Sequence, residues 1–154
     1  MMLPFKHMTW VAKLAIGCVV ALIFGIALWR LWPSLQYDAL PTHMELDGKR
    51  FTLETAMTEE AQERGLGERE SLCSTCAMLF VFEEPGRHAF WMKDMRFPID
   101  IVWLSGDKVV FVAHEVSPDF SGILDPEVVS DRVIELSSGA AKDAEVGEEI
   151  RFSY

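Results

Sequence analysis

The chain has 154 residues, half of them hydrophobic, and a formal net charge of −10. Residues 33–154 carry 11 basic and 24 acidic side chains, which gives this part a formal charge of −13. Because such an acidic surface repels phosphates, the composition argues against a nucleic-acid partner. About 120 residues are enough for one hydrophobic core, and nothing in the composition requires a second domain.

The first element in chain order is an apolar segment near the N-terminus. Residues 14–29 are all apolar or glycine, and Lys13 and Arg30 flank them. As a helix, residues 10–32 span about 34 Å, which exceeds the hydrocarbon thickness of a bilayer. Tryptophan lies at both ends of this segment, as is typical of membrane interfaces. The sequence therefore predicts a transmembrane helix at residues 10–32.

This apolar segment has three interpretations. They are an uncleaved signal anchor, a cleaved signal peptide and a buried helix of a soluble protein. The segment ends without a small-x-small cleavage site, which favours the anchor. Lys6 and Lys13 precede the segment and Arg30 follows it, which predicts that residues 1–9 are cytoplasmic. We therefore expect a single-pass protein of the cell membrane, in contact with the lipid bilayer and with its domain outside the cytoplasm.

Residues 33–41 form the predicted stalk, and residues 42–154 the predicted extracytoplasmic domain. The domain opens with alternating apolar residues around Asp47-Gly48, a pair typical of a tight hairpin turn. Thr58 is a predicted N-cap of a short helix, and Gly65 is its predicted end. The start of the domain thus predicts a hairpin followed by a helix.

The remaining elements are mostly predicted strands. They lie at residues 78–82, 89–92, 99–104, 108–116 and 149–152. The segment 83–86 is expected to break the first of them, and residues 139–144 to form a second helix capped by Ser138. The predicted fold is α+β with β dominant, a small antiparallel sheet curled into a barrel with two short helices.

Cys73 and Cys76 form a Cys-x-x-Cys motif. In thioredoxin-like enzymes such a motif opens a helix, whereas here an apolar strand follows it, which argues against disulfide exchange. The motif predicts a local disulfide; two free thiols, half of a metal site and redox catalysis are the alternatives. Four zinc ligands with recognisable spacing are not present, so we expect no metal site and no cofactor.

Four segments of the chain resemble the "domain of unknown function 192" family. They are Glu63-Arg64-Gly65-Leu66, Ala77-Met78-Leu79-Phe80-Val81-Phe82, Phe90-Trp91-Met92-Lys93 and Pro98-Ile99-Asp100-Ile101. The resemblance covers residues 52–152 and implies a compact β-rich domain with small helices, often behind a signal peptide or membrane anchor. It implies no activity. The chain departs from the family pattern at Gly67, Ala77 and the pair Asp94-Met95, where Met, Gly and Asn-Thr are usual.

The segment around Trp91 is the predicted binding site. In an extended segment Trp91 and Lys93 face one side, and Phe90 and Met92 face the other. An aromatic ring beside an ammonium suits a polar ligand, so Trp91 and Lys93, with Asp100 and Arg64, are the predicted ligand-binding residues. In the alternative, structural interpretation Trp91 covers the core, Lys93 pairs with Asp100, and Arg64 joins a surface ion-pair network.

Three functions are compatible with these residues. The first is binding of a small polar ligand or a cell-envelope component. The second is a hydrolase or transferase with Asp100 as base or nucleophile and Lys93 and Arg64 as charge stabilisers. The third is a scaffold that contacts another envelope protein through the long loop at residues 117–130. The sequence favours ligand binding without catalysis.

Overall fold

The computed structural model describes residues 39–154, so the predicted cytoplasmic tail, membrane helix and most of the stalk lie outside the described residues. Among residues 39–154, no helix is long and apolar enough to cross a bilayer. The described chain forms seven strands and one short helix. These are β1 (His43–Leu46), β2 (Lys49–Ala56), α1 (Glu59–Arg64), β3 (Cys76–Gly86), β4 (Ile99–Ser105), β5 (Lys108–Val116), β6 (Ser130–Ser137) and β7 (Arg151–Ser153).

All seven strands join one sheet in the order β5-β4-β6-β3-β2-β1-β7. The sheet curls into a half-barrel, and the backbone before β7 meets the start of β5, where the Val109 amide donates to Glu148 at 2.8 Å. The predicted β-dominant α+β domain is thereby confirmed. The sheet is not wholly antiparallel, however, because β2 and β3 are parallel and α1 lies in the connection between them.

Local sequence signals account for the first elements. Asp47 and Gly48 both have positive φ, 52° and 69°, and close the β1–β2 hairpin as predicted. The Thr58 hydroxyl accepts the Ala61 amide at 3.2 Å, which caps α1. Gly65 ends the helix with φ 52° and ψ −131°, a conformation that glycine adopts easily. The predicted hairpin and first helix are therefore confirmed.

The predicted second helix is wrong. Residues 138–143 form turns, and Gly139 has a φ of +77°, which is incompatible with a right-handed helix. The amide of Ala140 donates to Ser137 and that of Ala144 to Ala141, so the hydrogen bonds are those of successive tight turns. The Ala141 amide donates instead to the side chain of Asp100.

Two strand predictions also differ from the structure, and one strand was not predicted. Residues 89–92 form no strand and pair only through the bridge between Phe90 and Leu124. Residues 83–86 do not break β3, which continues to Gly86 with an irregular register beside β6. Strand β6 itself had no predicted counterpart, although it occupies an inner position in the sheet.

Two hydrophobic clusters cover the two faces of the sheet. The first fills the half-barrel and includes Leu79, Val102 and Ile134; the second includes Phe80, Trp103 and Val133. Because side chains alternate along a strand, neighbouring residues of β6 belong to opposite clusters. The second face lies beneath α1 and the segment at residues 87–95, and this is where the candidate site forms.

Candidate functional site

A cavity of about 320 Å³ opens between α1 and residues 87–95, over the second face of the sheet. Phe80 and Glu135 contribute to its inner end, Gly65 and Leu66 to one side, and aromatic side chains to the other. Its volume lies at the lower end of the usual range for small-molecule sites. We call this space the Glu135 cavity.

Glu135 is the exceptional residue of the cavity, because it is an acid within the hydrophobic packing. Only 3% of its surface is exposed, and its Oε2 atom has no hydrogen-bond partner in the structure. Burial raises the pKa of Glu135 to about 8, and a hydrogen bond from the Leu66 backbone and the charge of Arg69 lower this pKa only in part. At neutral pH the carboxyl group is therefore mostly protonated and can both donate and accept a hydrogen bond.

Gly65 leaves room for this carboxyl group. A Cβ atom at Gly65 would lie 3.2 Å from Glu135 Oε2 and 3.4 Å from the end of the Phe80 ring. The same glycine ends α1 with a positive φ. The turn after α1 thus approaches Glu135 closely because position 65 lacks a side chain.

Trp91 and Lys93 lie together at the rim, as the alternation of the sequence predicted. Trp91 is 48% exposed, whereas Met92 between them is 3% exposed and packs in the core. The Lys93 ammonium lies 5.9 Å from the centre of the Trp91 ring, within the range of a cation–π contact. Among the described residues Lys93 forms no ion pair, so its charge is available to a ligand.

Arg64 also lines the Glu135 cavity, together with Trp91 and Lys93. Its guanidinium lies 3.9 Å from Glu60, and both side chains are exposed, so the ion pair is weak. Arg69, the other arginine near this turn, instead forms two hydrogen bonds with Glu54, at 2.7 and 2.8 Å. Three of the four predicted binding residues therefore surround one cavity.

The fourth predicted residue, Asp100, lies elsewhere. It is fully buried, and it does not line the Glu135 cavity. One carboxylate oxygen accepts the Glu115 amide and the other accepts the Ala141 amide, each at 2.8 Å. The structure thus gives Asp100 backbone partners and does not bring it together with Lys93.

The aromatic wall of the cavity is held by several contacts. Phe82 stacks on His88 with ring centres 3.5 Å apart, and the His88 carbonyl accepts the Trp103 indole at 2.8 Å. Phe90 makes edge contacts with Phe80 and Trp103. The wall is therefore anchored to the core.

A second cavity adjoins the first on the other side of Trp91. It is lined by Trp91, Met92, Lys93 and residues 118–123 of the long loop, and its volume is about 380 Å³. We call it the Phe120 cavity. Backbone hydrogen bonds between Phe90 and Leu124, at 2.8 and 2.9 Å, connect the loop to the segment that carries Trp91.

The Cys73–Cys76 disulfide predicted from the sequence is confirmed. It lies in the connection before β3, outside both cavities. Among the described residues, no group of three or more His, Cys, Asp or Glu side chains is placed to hold a metal ion.

The family model of domain of unknown function 192 (DUF192), described as "Uncharacterized ACR", matches residues 42–152. The protein belongs to the DUF192 family. The resemblance predicted from the sequence motifs is thus confirmed. No protein of curated function matches the chain.

Two crystal structures are similar to this DUF192 domain. One is of a protein from Sinorhizobium meliloti 1021 described as a "putative transcription regulator"; its TM-score is 0.66 at 23% identity, covering 71% of this chain and 90% of that one. The other is of a protein of unknown function from Novosphingobium aromaticivorans DSM 12444; its TM-score is 0.66 at 25% identity, covering 73% of this chain and 84% of that one. Both similarities support the fold.

Glu135, the buried carboxyl group of the DUF192 domain, was not among the residues predicted to form the site. Glu135 is the one acid in the run Val133-Ile134-Glu135-Leu136, and a charged residue within an apolar strand is a recognisable signal. This signal indicates that Glu135 is buried, but it does not identify the residues that surround it. Gly65 and Leu66 are about 70 residues away in the sequence, and only the fold brings them to this carboxyl group.

Proposed function

We propose that this protein binds a small polar ligand or a component of the cell envelope in the Glu135 cavity. The observation that carries the proposal is the buried Glu135 carboxyl group, whose Oε2 atom has no hydrogen-bond partner among residues 39–154. A buried polar atom without a hydrogen bond costs about 1–3 kcal/mol. A ligand that hydrogen-bonds to this atom would remove that cost.

The rim of the cavity supports the same proposal. Trp91 offers an exposed aromatic surface, and Lys93 and Arg64 offer donors that the fold does not use in strong ion pairs. The lining combines apolar and aromatic side chains with convergent polar groups, and both kinds of group occur in ligand sites. A nucleic-acid ligand is not part of the proposal, because residues 33–154 have a formal charge of −13.

We also propose that residues 10–32 anchor the domain to the cell membrane and that the domain lies outside the cytoplasm. The apolar segment and its flanking charges support the anchor. The Cys73–Cys76 disulfide supports the location, since disulfides persist in oxidising compartments. Protease digestion of sealed membrane vesicles of known orientation tests this; cleavage only from the cytoplasmic side would contradict it.

A second candidate function is hydrolysis of the bound ligand. The raised pKa of Glu135 favours it, because a carboxyl group that stays protonated near neutral pH can act as a proton donor. In this candidate Glu135 acts as a general acid, which differs from the role of base or nucleophile predicted for Asp100. Mass spectrometry of each ligand after incubation with the protein distinguishes cleavage from binding.

The test is a thermal-shift screen of the purified full-length protein. The probes are N-acetylglucosamine, N-acetylmuramic acid, glycerol phosphate, adenosine monophosphate and divalent metal ions. A probe at about 100 times its Kd stabilises a protein by about 2.7 kcal/mol, which raises Tm by several degrees. Absence of a shift from every probe would contradict binding in this cavity.

Matched variants show whether a probe binds in the Glu135 cavity. We expect Trp91→Ala and Lys93→Ala to abolish the shift caused by an active probe. Tyr154→Ala and Lys49→Ala are the controls, because both residues are exposed and line neither cavity. A shift that survives both rim substitutions would place the ligand elsewhere.

A further inference from the structure

Trp91 separates two cavities rather than covering one. Its side chain lines the Glu135 cavity on one side and the Phe120 cavity on the other, and Lys93 lines both. The indole is about half exposed, so a ligand in either cavity can contact it. A ligand that fills both cavities must pass over Trp91.

The wall of the Phe120 cavity has a defined position beside Trp91. Phe90 and Leu124 exchange two backbone hydrogen bonds, and Arg87 pairs with Asp125 at 2.6 Å and with Glu127 at 3.2 Å. These contacts connect the long loop to the segment that precedes Trp91. The two cavities therefore form adjacent compartments with a shared wall.

Phe120 gives the second cavity an aromatic surface of its own. Its ring lies against the backbone of Gly122, where an added Cβ atom would come within 2.7 Å of the ring. Phe120 remains 39% exposed and the neighbouring Ile123 is 68% exposed. Exposed apolar residues grouped beside a cavity are typical of a binding surface.

We infer that the ligand is an oligosaccharide of at least two linked sugar units, with one unit in the Glu135 cavity, the next in the Phe120 cavity and Trp91 between them. This inference rests on the ligand binding proposed above. It adds the chemical class of the ligand and the path that the ligand follows.

The surfaces of the two cavities match a sugar ring. A pyranose has a face of C–H bonds and a rim of hydroxyl groups, and the negative face of an aromatic ring attracts the C–H bonds. Trp91 supplies an exposed aromatic surface to both cavities, and Phe120 supplies another to the second. Glu63 and Lys93 in the first cavity, and Asp119 in the second, supply acceptors and donors for hydroxyl groups.

The charges around the cavities favour an uncharged polymer. The exposed acids Glu59, Glu63 and Asp119 lie beside the cations Arg64 and Lys93, and Arg87 is already paired with two acids of the long loop. A strongly anionic or cationic chain would therefore meet repulsion as well as attraction. A neutral ligand meets no such repulsion.

The topology argues against an extended peptide. Peptides that bind as an added strand use the free edge of a sheet. The edges of this sheet are β5 and β7, and no residue of either strand lines the two cavities. The Phe90 backbone, which lies nearer, already pairs with Leu124.

The test compares N-acetylglucosamine with its β-1,4-linked dimer and trimer by calorimetry on the full-length protein. If the second unit occupies the Phe120 cavity, we expect the dimer to bind at least about tenfold more tightly than the monomer, since the second contact is intramolecular. Ile123→Ala and Phe120→Ala should reduce the affinity for the dimer towards that for the monomer. Val129→Ala is the control, because this exposed residue of the same loop lines neither cavity.

The outcomes separate this inference from the proposed function. The inference that the ligand passes over Trp91 would be overturned by either of two results. One is equal affinity for monomer and dimer, and the other is a dimer affinity unaffected by Ile123→Ala and Phe120→Ala. If another probe binds in a Trp91-dependent manner and no sugar does, the sugar class is overturned while ligand binding stands. Tighter binding of tetra-alanine than of the sugar dimer would also overturn the sugar class.

Discussion

Gly65 and Glu135 approach each other so closely that a Cβ atom at position 65 would lie 3.2 Å from the Glu135 carboxyl group. This contact joins the end of α1 to the middle of the sheet. It also leaves Glu135 in contact with the cavity, where a larger residue at position 65 would reduce the available space. The residue that ends the helix thereby helps to shape the candidate site.

Gly65→Ala is expected to destabilise the protein by about 1–3 kcal/mol, because alanine at a positive φ is strained and its methyl group would contact Glu135. Urea denaturation measures the effect. Gly106→Ala is the matched control, since Gly106 also has a positive φ and no atom lies within 4 Å of the added Cβ. Equal costs for the two substitutions would show that the contact with Glu135 has no energetic consequence.

Because of Glu135, the free energy of unfolding is expected to decrease as the pH rises. Its pKa is about 8 in the folded protein and about 4.5 in the unfolded chain, so the folded state binds the extra proton between these values. The free energy of unfolding should decrease through this range, by at most on the order of 5 kcal/mol, and level off above about pH 8. Glu135→Gln should remove this contribution.

The measurement is urea denaturation of the wild type and Glu135→Gln at several pH values between about 5 and 9. The quantity of interest is the difference between the two curves, because other groups titrate in both proteins. Glu54→Gln is the comparison: hydrogen bonding to Arg69 lowers the pKa of Glu54 from its ordinary value of 4.5, so its contribution is constant over this range and is lost only at lower pH. Parallel curves for the wild type and Glu135→Gln would contradict the raised pKa.

Asp100→Asn is expected to destabilise the protein by about 2–3 kcal/mol. The carboxylate accepts backbone amides with both oxygens, whereas an asparagine would turn its NH₂ group towards one of these donors. Asp131→Asn is the control, because Asp131 accepts one amide, from Gly106, in an exposed position. A destabilised protein that still binds ligand indicates a structural role for Asp100; normal stability without binding would contradict that role.

Removal of the disulfide by the double substitution Cys73→Ser and Cys76→Ser is expected to cost about 2 kcal/mol or less. The loop closed by the bond is short, so the bond removes little conformational freedom from the unfolded chain. The Ser137 hydroxyl, which donates to the Leu72 carbonyl at 3.3 Å, holds this loop independently. Denaturation with and without reductant measures the cost, and reductant should affect only the wild type. A loss of folding would contradict this small contribution.

The predictions that failed share a physical cause. Residues 139–144 have suitable composition for a helix, yet Asp100 takes the Ala141 amide and Gly139 has a positive φ. Residues 89–92 alternate like a strand, yet they lie over the second face of the sheet and pair only through Phe90. In both segments, tertiary contacts outweigh local propensity.

The candidate site was predicted in part. The alternation of Trp91 and Lys93 against Met92 gave the exposed pair, because alternation is a local property of an extended backbone. Arg64 lines the same cavity as that pair. Asp100 does not line that cavity, since its position is set by β4 and by the backbone amides of Glu115 in β5 and of Ala141 in a turn.

The sequence by itself determined the family, the Asp47-Gly48 hairpin and the ends of α1, because each depends on residues adjacent in the chain. It also placed the two cysteines close enough to bond. The parallel pairing of β2 with β3 and the burial of Glu135 beneath Gly65 were decided by the tertiary structure. Both depend on contacts between residues far apart in the chain, which local propensities do not specify.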